Sequence, residues 1–133
     1  MLTLTLLAAE RGKGPFTEVE FLITPTGNYV AGGVPLDLTT LYGQTDPAGR
    51  TLDSDQLPLF IDVKSMGAVA GTPQGYKAST YTNPADGTPP VALTPATVNF
   101  QTFAGITEAS TTAFTNTVLS DRIVAKAVFK SQQ

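Results

Sequence analysis

Phe16-Thr-Glu-Val-Glu-Phe-Leu-Ile-Thr24 sets Val19, Phe21 and Ile23 at every second position, with Glu18 and Glu20 between them. Successive side chains on a strand point to opposite faces, so this spelling describes a strand with one face for a core and one for water. Four other segments repeat the pattern. In Arg122–Lys130, Ile123, Ala125, Ala127 and Phe129 oppose Arg122, Lys126 and Lys130. In Leu2–Leu6, the three leucines oppose Thr3 and Thr5. In Leu57–Lys64, Leu57, Leu59, Ile61 and Val63 oppose Asp62 and Lys64, with Phe60 out of phase. In Thr97–Phe103, Val98 and Phe100 oppose Asn99 and Gln101.

Half-buried strands of this kind belong to antiparallel sheets packed face to face. Turn clusters separate them at Gly12–Pro15, Pro25–Asn28, Asp46–Gly49, Gly71–Gly75 and Asn83–Pro90. The spacing predicts an all-β fold: one antiparallel β-sandwich, jelly-roll-like, with long loops and spanning residues 1–133. Threonine is the commonest residue, at twenty-one, which suits strands. Leu4–Arg11 reads as a strand that ends in a turn of helix. Ile106–Leu119 has apolar residues at rough helical spacing, but its many threonines favour an extended or looped path. Asn83–Pro95 reads as a surface loop or arm.

The composition excludes more than it includes. There is no histidine, cysteine or tryptophan. Histidine is the only side chain that ordinarily titrates between about pH 5 and 8. Cysteine is the strongest intrinsic nucleophile, and zinc sites of the usual kind need one or both residues. A serine or threonine nucleophile would lack its usual base, and no Ser-x-x-Lys occurs. The net charge is −3 and the eight basic residues are scattered. Nucleic-acid binding needs clustered Lys and Arg, so no nucleic-acid partner is expected. Met1–Ala9 lacks the basic start and the unbroken apolar run of a leader, and no apolar run is long enough to span a bilayer. The expectation is a protein made in the cytoplasm, with no membrane partner.

The segment Gly27-Asn-Tyr-Val-Ala-Gly-Gly-Val-Pro-Leu-Asp-Leu38 follows the second strand. Gly32-Gly33 allows positive φ, and Pro35 fixes an extended continuation. Leu36 and Leu38 flank Asp37 with strand alternation. Read locally, this is a glycine hinge between two edge segments, with Tyr29 covering core.

Asn28-Tyr29, Gly32-Gly33 and Leu36-Asp37-Leu38 resemble a motif of the small capsid decoration, or cement, proteins of tailed bacteriophages. The small size, the Gly/Thr-rich middle and the apolar last strand Ile123–Phe129 agree in outline. The resemblance implies a structural virion protein with a β fold and no catalytic residues or cofactor. It would sit on the outer capsid surface, with the major capsid protein and further copies of itself, as a dimer or trimer, for partners. The contact candidates are Asn28, Tyr29, Gly32, Gly33, Leu36 and Leu38, with Pro89 and Pro90 on the proline-rich loop. The long Asn83–Pro95 loop departs from the family pattern. Exposed edge strands are a further expected contact surface.

Other chemistry finds weaker support in the residues. Arg11-Gly12-Lys13-Gly14 is followed by Pro15 and a strand, so it is a basic turn rather than a phosphate loop. Asp53-Ser54-Asp55, with Asp46 and Asp62 nearby, is the best calcium candidate, since calcium takes six to eight oxygens, but turn and cap roles explain Asp and Ser there equally. Glu18 and Glu20 have a separation a glycosidase could use, yet an alternating strand makes them a solvated face. Tyr29, Tyr42, Tyr76 and Tyr81 would serve a receptor- or carbohydrate-binding module of a phage tail or cell surface if they clustered in one cleft. That module is the alternative to the capsid reading.

Overall fold

A computed structural model describes residues 1–11, 15–67 and 74–130. Gly12–Gly14 and Gly71–Pro73, parts of two expected turns and of the basic Arg11–Gly14 stretch, lie outside the described residues. The first sheet joins β1 (Leu2–Arg11), β2 (Phe16–Pro25), β10 (Ile123–Lys130) and β5 (Phe60–Ser65) in the order β1-β2-β10-β5. The second joins β4 (Val34–Leu36), β7 (Val98–Ala104) and β6 (Gln74–Ser79) in the order β4-β7-β6, with β8 (Thr107–Glu108) folding back on β7. A short pair links β3 (Asn28–Tyr29) to β9 (Thr112–Ala113), and α1 (Asn116–Leu119) is a single helical turn. All strand pairs are antiparallel. The protein is an all-β, antiparallel sandwich.

The alternation explains the layers. Val19, Phe21 and Ile23 of β2 and Ile123, Ala125, Ala127 and Phe129 of β10 form the buried face of the first sheet. Val34 and Leu36 of β4 and Val98 and Phe100 of β7 belong to the same core cluster. The small Ala125 and Ala127 sit opposite Phe21 and Val19 in the β10–β2 register, so bulk on one strand meets space on the next. Tyr76 stacks on Phe100, while Tyr29 meets Phe114, and Tyr42 meets Phe129, edge to face.

Three local expectations are corrected. β1 is strand to Arg11, not strand followed by helix. Its register against β2 shifts between Leu6 and Ala8, a β-bulge that carries the buried series from Leu4 and Leu6 to Ala9. That break in alternation is what resembled a helical turn. Leu57–Lys64 is strand only from Phe60. Pro58 has no N–H to give to a ladder; it takes a buried position, and Leu59 turns out to solvent. Leu38 does not continue the strand through Leu36. Asp37 instead caps a 3-10 turn, Leu38–Thr40, its carboxylate accepting from the Thr39 N–H at 2.9 Å. Ile106–Leu119 is extended or looped except for α1, whose N-cap is Thr115.

Candidate functional site

The Gly27–Leu38 segment is held from the inside. Tyr29 is buried at 1% exposure, and its hydroxyl donates to Glu108 Oε2 at 2.6 Å. The same oxygen accepts from the Gly32 N–H at 2.9 Å and from Gln101 Nε2 at 3.0 Å. These donors, the tyrosine hydroxyl first, hold the Glu108 carboxyl below the usual range. Burial, then the bond to Glu108, pushes the Tyr29 hydroxyl well above its usual value. The Ala31 N–H donates to Thr111 Oγ1 at 2.8 Å, and Asn99 Nδ2 donates to the Gly32 carbonyl at 2.8 Å.

Both glycines are required by this geometry. Gly32 has φ +96° and Gly33 φ +119°. A Cβ built on Gly33 would lie 2.6 Å from Asn99 Cγ, deep inside van der Waals contact. The Asn99 side chain therefore occupies the place a side chain at residue 33 would need.

This placement divides the contact candidates. Tyr29, Leu36 and Leu38 are core residues and are withdrawn as surface contacts, because a side chain enclosed by its own fold presents nothing to a partner. Asn28, Gly32, Pro89 and Pro90 are exposed, and Gly33 is half-buried.

Pro89 and Pro90 lie on an arm, residues 80–97, that joins β6 to β7. Its stem is a ladder extension: Leu93 N–H donates to the Thr80 carbonyl and Thr82 N–H to the Val91 carbonyl, each at 2.8 Å. Its tip is an Asx turn in which Asp86 Oδ1 accepts from the Thr88 N–H at 3.0 Å and from the Thr88 hydroxyl at 2.7 Å. At its base, the Leu38 N–H donates to the Pro95 carbonyl at 2.8 Å. The arm thus has a defined shape, yet Tyr81 and Val91 stand in solvent at 56% and 66% exposure.

A second projection sits at the other end of β7. Gly105-Ile106 is a two-residue hairpin tip between β7 and β8, and Ile106 is 100% exposed. Sequence reasoning named Tyr81 only as a sugar-binding candidate, placed Val91 on the expected loop without singling it out, and missed Ile106. The one available signal for Ile106 was an apolar, β-branched residue beside glycine where turn chemistry asks for a polar one.

The alternative chemistries find these surroundings. Asp46 is buried and fully engaged: Oδ1 accepts from the Ala48 and Arg50 N–H groups, and Oδ2 from the Ala9 N–H and Arg50 Nε. Those bonds, Ala9 first, hold its carboxyl below the usual range. It has no oxygen to spare for calcium, and no group of three or more acidic ligands gathers among the described residues. Glu18 and Glu20 lie on the solvent face of the first sheet, with Lys126 Nζ 3.7 Å from Glu18. The tyrosines do not share a cleft. The hydroxyls of Tyr29, Tyr42 and Tyr76 are engaged internally by Glu108, the Gln56 carbonyl and Asp121. Among the described residues no helix is long and apolar enough to cross a membrane.

Comparisons with protein-family models, with curated proteins and with solved structures find no match. The arrangement among the described residues is that of a packed sandwich bearing an exposed apolar arm and an exposed apolar hairpin tip.

Proposed function

We propose that this chain is a structural virion protein that attaches to the outer surface of an icosahedral phage capsid and bridges neighbouring capsid subunits. The observation that carries this reading is the pair of projections at opposite ends of β7. Val98 and Ala104 are six residues apart, so the arm and the Ile106 tip are separated by roughly 20 Å of extended backbone. A bridge needs two contact points held at a fixed distance, and a strand within a packed sheet is a stiff spacer. The resemblance of Asn28-Tyr29, Gly32-Gly33 and Leu36-Asp37-Leu38 to decoration proteins supports the same reading, as does the lack of histidine and cysteine.

The mechanism is mechanical. Each contact buries little and binds weakly, about 5 kcal/mol for a dissociation constant near 10⁻⁴ M. Two contacts on one rigid body raise the effective concentration of the second and give tight attachment. Association with further copies, as a dimer or trimer, would multiply the contacts again. Bridging subunits in this way offsets the outward pressure of packaged DNA.

Sedimentation of purified shells and of isolated capsid subunits with the protein tests the reading. Attachment to expanded, mature shells with poor binding to free subunits is expected. Equal binding to both, or to neither, overturns it and brings forward the receptor- or sugar-binding module.

A further inference from the structure

β1 is an edge strand, and its sequence is a hazard. Leu2-Thr-Leu-Thr-Leu-Leu-Ala-Ala9 has strong strand propensity, no charge, no proline and no glycine. Such a segment at a sheet edge is a template for pairing with an identical segment of another chain. Yet its free edge is not bare.

Gln44 lies against it and acts as a surrogate strand. Its Oε1 accepts from the Leu6 N–H at 2.9 Å, and its Nε2 donates to the Leu4 carbonyl at 2.9 Å. The second Nε2 hydrogen goes to the Thr40 carbonyl at 2.8 Å, which fixes the orientation of the amide. Farther along, Asp46 Oδ2 accepts from the Ala9 N–H at 3.0 Å. Arg50 then joins Asp46, at 3.0 Å, to Glu10 of β1, at 3.7 Å.

The bulge at Leu7 makes this arrangement possible. In a regular strand, outward N–H groups recur every second residue, so Leu6 and Ala9 would face opposite ways. One inserted residue brings both outward, to where Gln44 and Asp46 wait. The guard is braced in turn. Gly43 N–H donates to the Leu52 carbonyl at 2.7 Å, Leu52 N–H to the Gln44 carbonyl at 3.0 Å, and Asp46 N–H to the Arg50 carbonyl at 2.8 Å. Leu52 is buried at 2% exposure and anchors the loop in the core.

We infer that the 43–52 loop is an edge guard, and that the β1 edge beneath it is a latent strand-addition site whose occupant is β1 of a second copy. The Leu-Thr-Leu-Thr-Leu repeat is self-complementary in antiparallel pairing: leucines would continue the core face and threonines the outer face across both copies. This inference does not depend on attachment to a capsid.

The test is Gln44→Met in the full chain, alone and combined with Asp46→Ala. Methionine keeps the bulk and removes all three amide bonds. Backbone amides of Leu6 and Ala9 should exchange at least about ten-fold faster in the double variant when it is dilute enough to stay monomeric. Light scattering at matched concentration should show an apparent mass about two-fold higher than wild type, or larger assemblies. Adding Thr5→Lys, at an exposed edge position, should restore the wild-type mass, because like charges would face each other across the new pair. Three results would overturn the inference: amides that stay protected in the dilute monomer, no gain in mass as concentration rises, or association that survives Thr5→Lys. If the double variant does not fold, Gln44→Met alone carries the same comparison at Leu6.

Discussion

The Gly27–Leu38 segment and the Asn83–Pro95 loop, which the fold carries on the 80–97 arm, are both expected from sequence to meet a partner, and the fold treats them oppositely. The first is the more distinctive in sequence, with an aromatic, a glycine pair and a repeated leucine. Its features turn out to be answers to internal demands: Tyr29 fills core and reaches Glu108, and Gly33 yields its side-chain space to Asn99. The arm is plain in sequence and satisfies its own backbone, yet contributes Tyr81, Val91, Pro89 and Pro90 to solvent. Distinctive residues report constraint, and constraint inside a fold is as common as constraint at a contact. Exposure of apolar groups on an ordered scaffold is the better pointer to a partner.

The sharpest way to break this contrast is Gly33→Val. A side chain there meets Asn99 and must adopt φ +119°, a conformation L residues avoid. Displacing Asn99 also removes its bond to the Gly32 carbonyl. A loss of roughly 3 kcal/mol in urea unfolding is expected. A loss below about 0.5 kcal/mol, within the range of ordinary surface substitutions, would show that the segment is an adaptable loop after all.

Acid should come next in effect. Asp46 and Glu108 each have a folded-state pKa lowered from ordinary values of 3.8 and 4.5. A lowered pKa means the folded state holds the proton less well than the unfolded chain. The stability these groups contribute is therefore full above the ordinary values and lost as pH falls through the folded ones. Melting temperatures should be flat from pH 7 to about 5 and decline below about 4.5. With Glu108→Gln and Asp46→Asn together, part of that decline should vanish. An unchanged acid profile in the double variant would assign the decline to other groups.

Much of the architecture was legible because burial imposes period two. β2, β7 and β10 carry unbroken alternation and fold as expected. β1 and β5 were misread at their ends, where one inserted residue and one proline break the period. The site was less legible for a different reason. Glu108 lies 79 residues from Tyr29, and Gln44 lies 38 residues from Leu6. Nothing local marks a glutamine as the cover of a distant edge or a glutamate as the anchor of a glycine turn. Periodicity reports which face is buried; it carries no information on which polar residue meets which across the fold.

A finer probe of the inner latch is Tyr29→Phe. The ring and its contact with Phe114 remain, while the hydroxyl bond to Glu108 is lost. Glu108 keeps its bonds from Gly32 and Gln101, so no carboxylate is stranded. A cost of about 1 kcal/mol is expected, in line with removal of one bond whose acceptor retains other partners. A cost above about 3 kcal/mol would mean that the hydroxyl holds the whole turn, not one strand of its support.

The arm and the hairpin tip should show the smallest stability effect and the largest effect on attachment. Ile106 has no contact to lose, being fully exposed, and Ile106→Ser should change unfolding by less than about 0.5 kcal/mol. Val91→Ser on the arm should behave alike, since the Thr82–Val91 bonds run through the backbone and the Thr82 hydroxyl. If the two projections are the two ends of a bridge, each single variant weakens one contact and the pair weakens both. Because the second contact acts at high effective concentration, losing either end should lower shell binding steeply, to that of the one weak contact left, and losing both should abolish it. Sedimentation with purified shells separates the cases. A shallow loss from either single variant would indicate contacts that each suffice alone rather than a bridge. Shell binding untouched by either variant would place the contact surface elsewhere on the sandwich and leave the exposure of Ile106 and Val91 without a part in attachment.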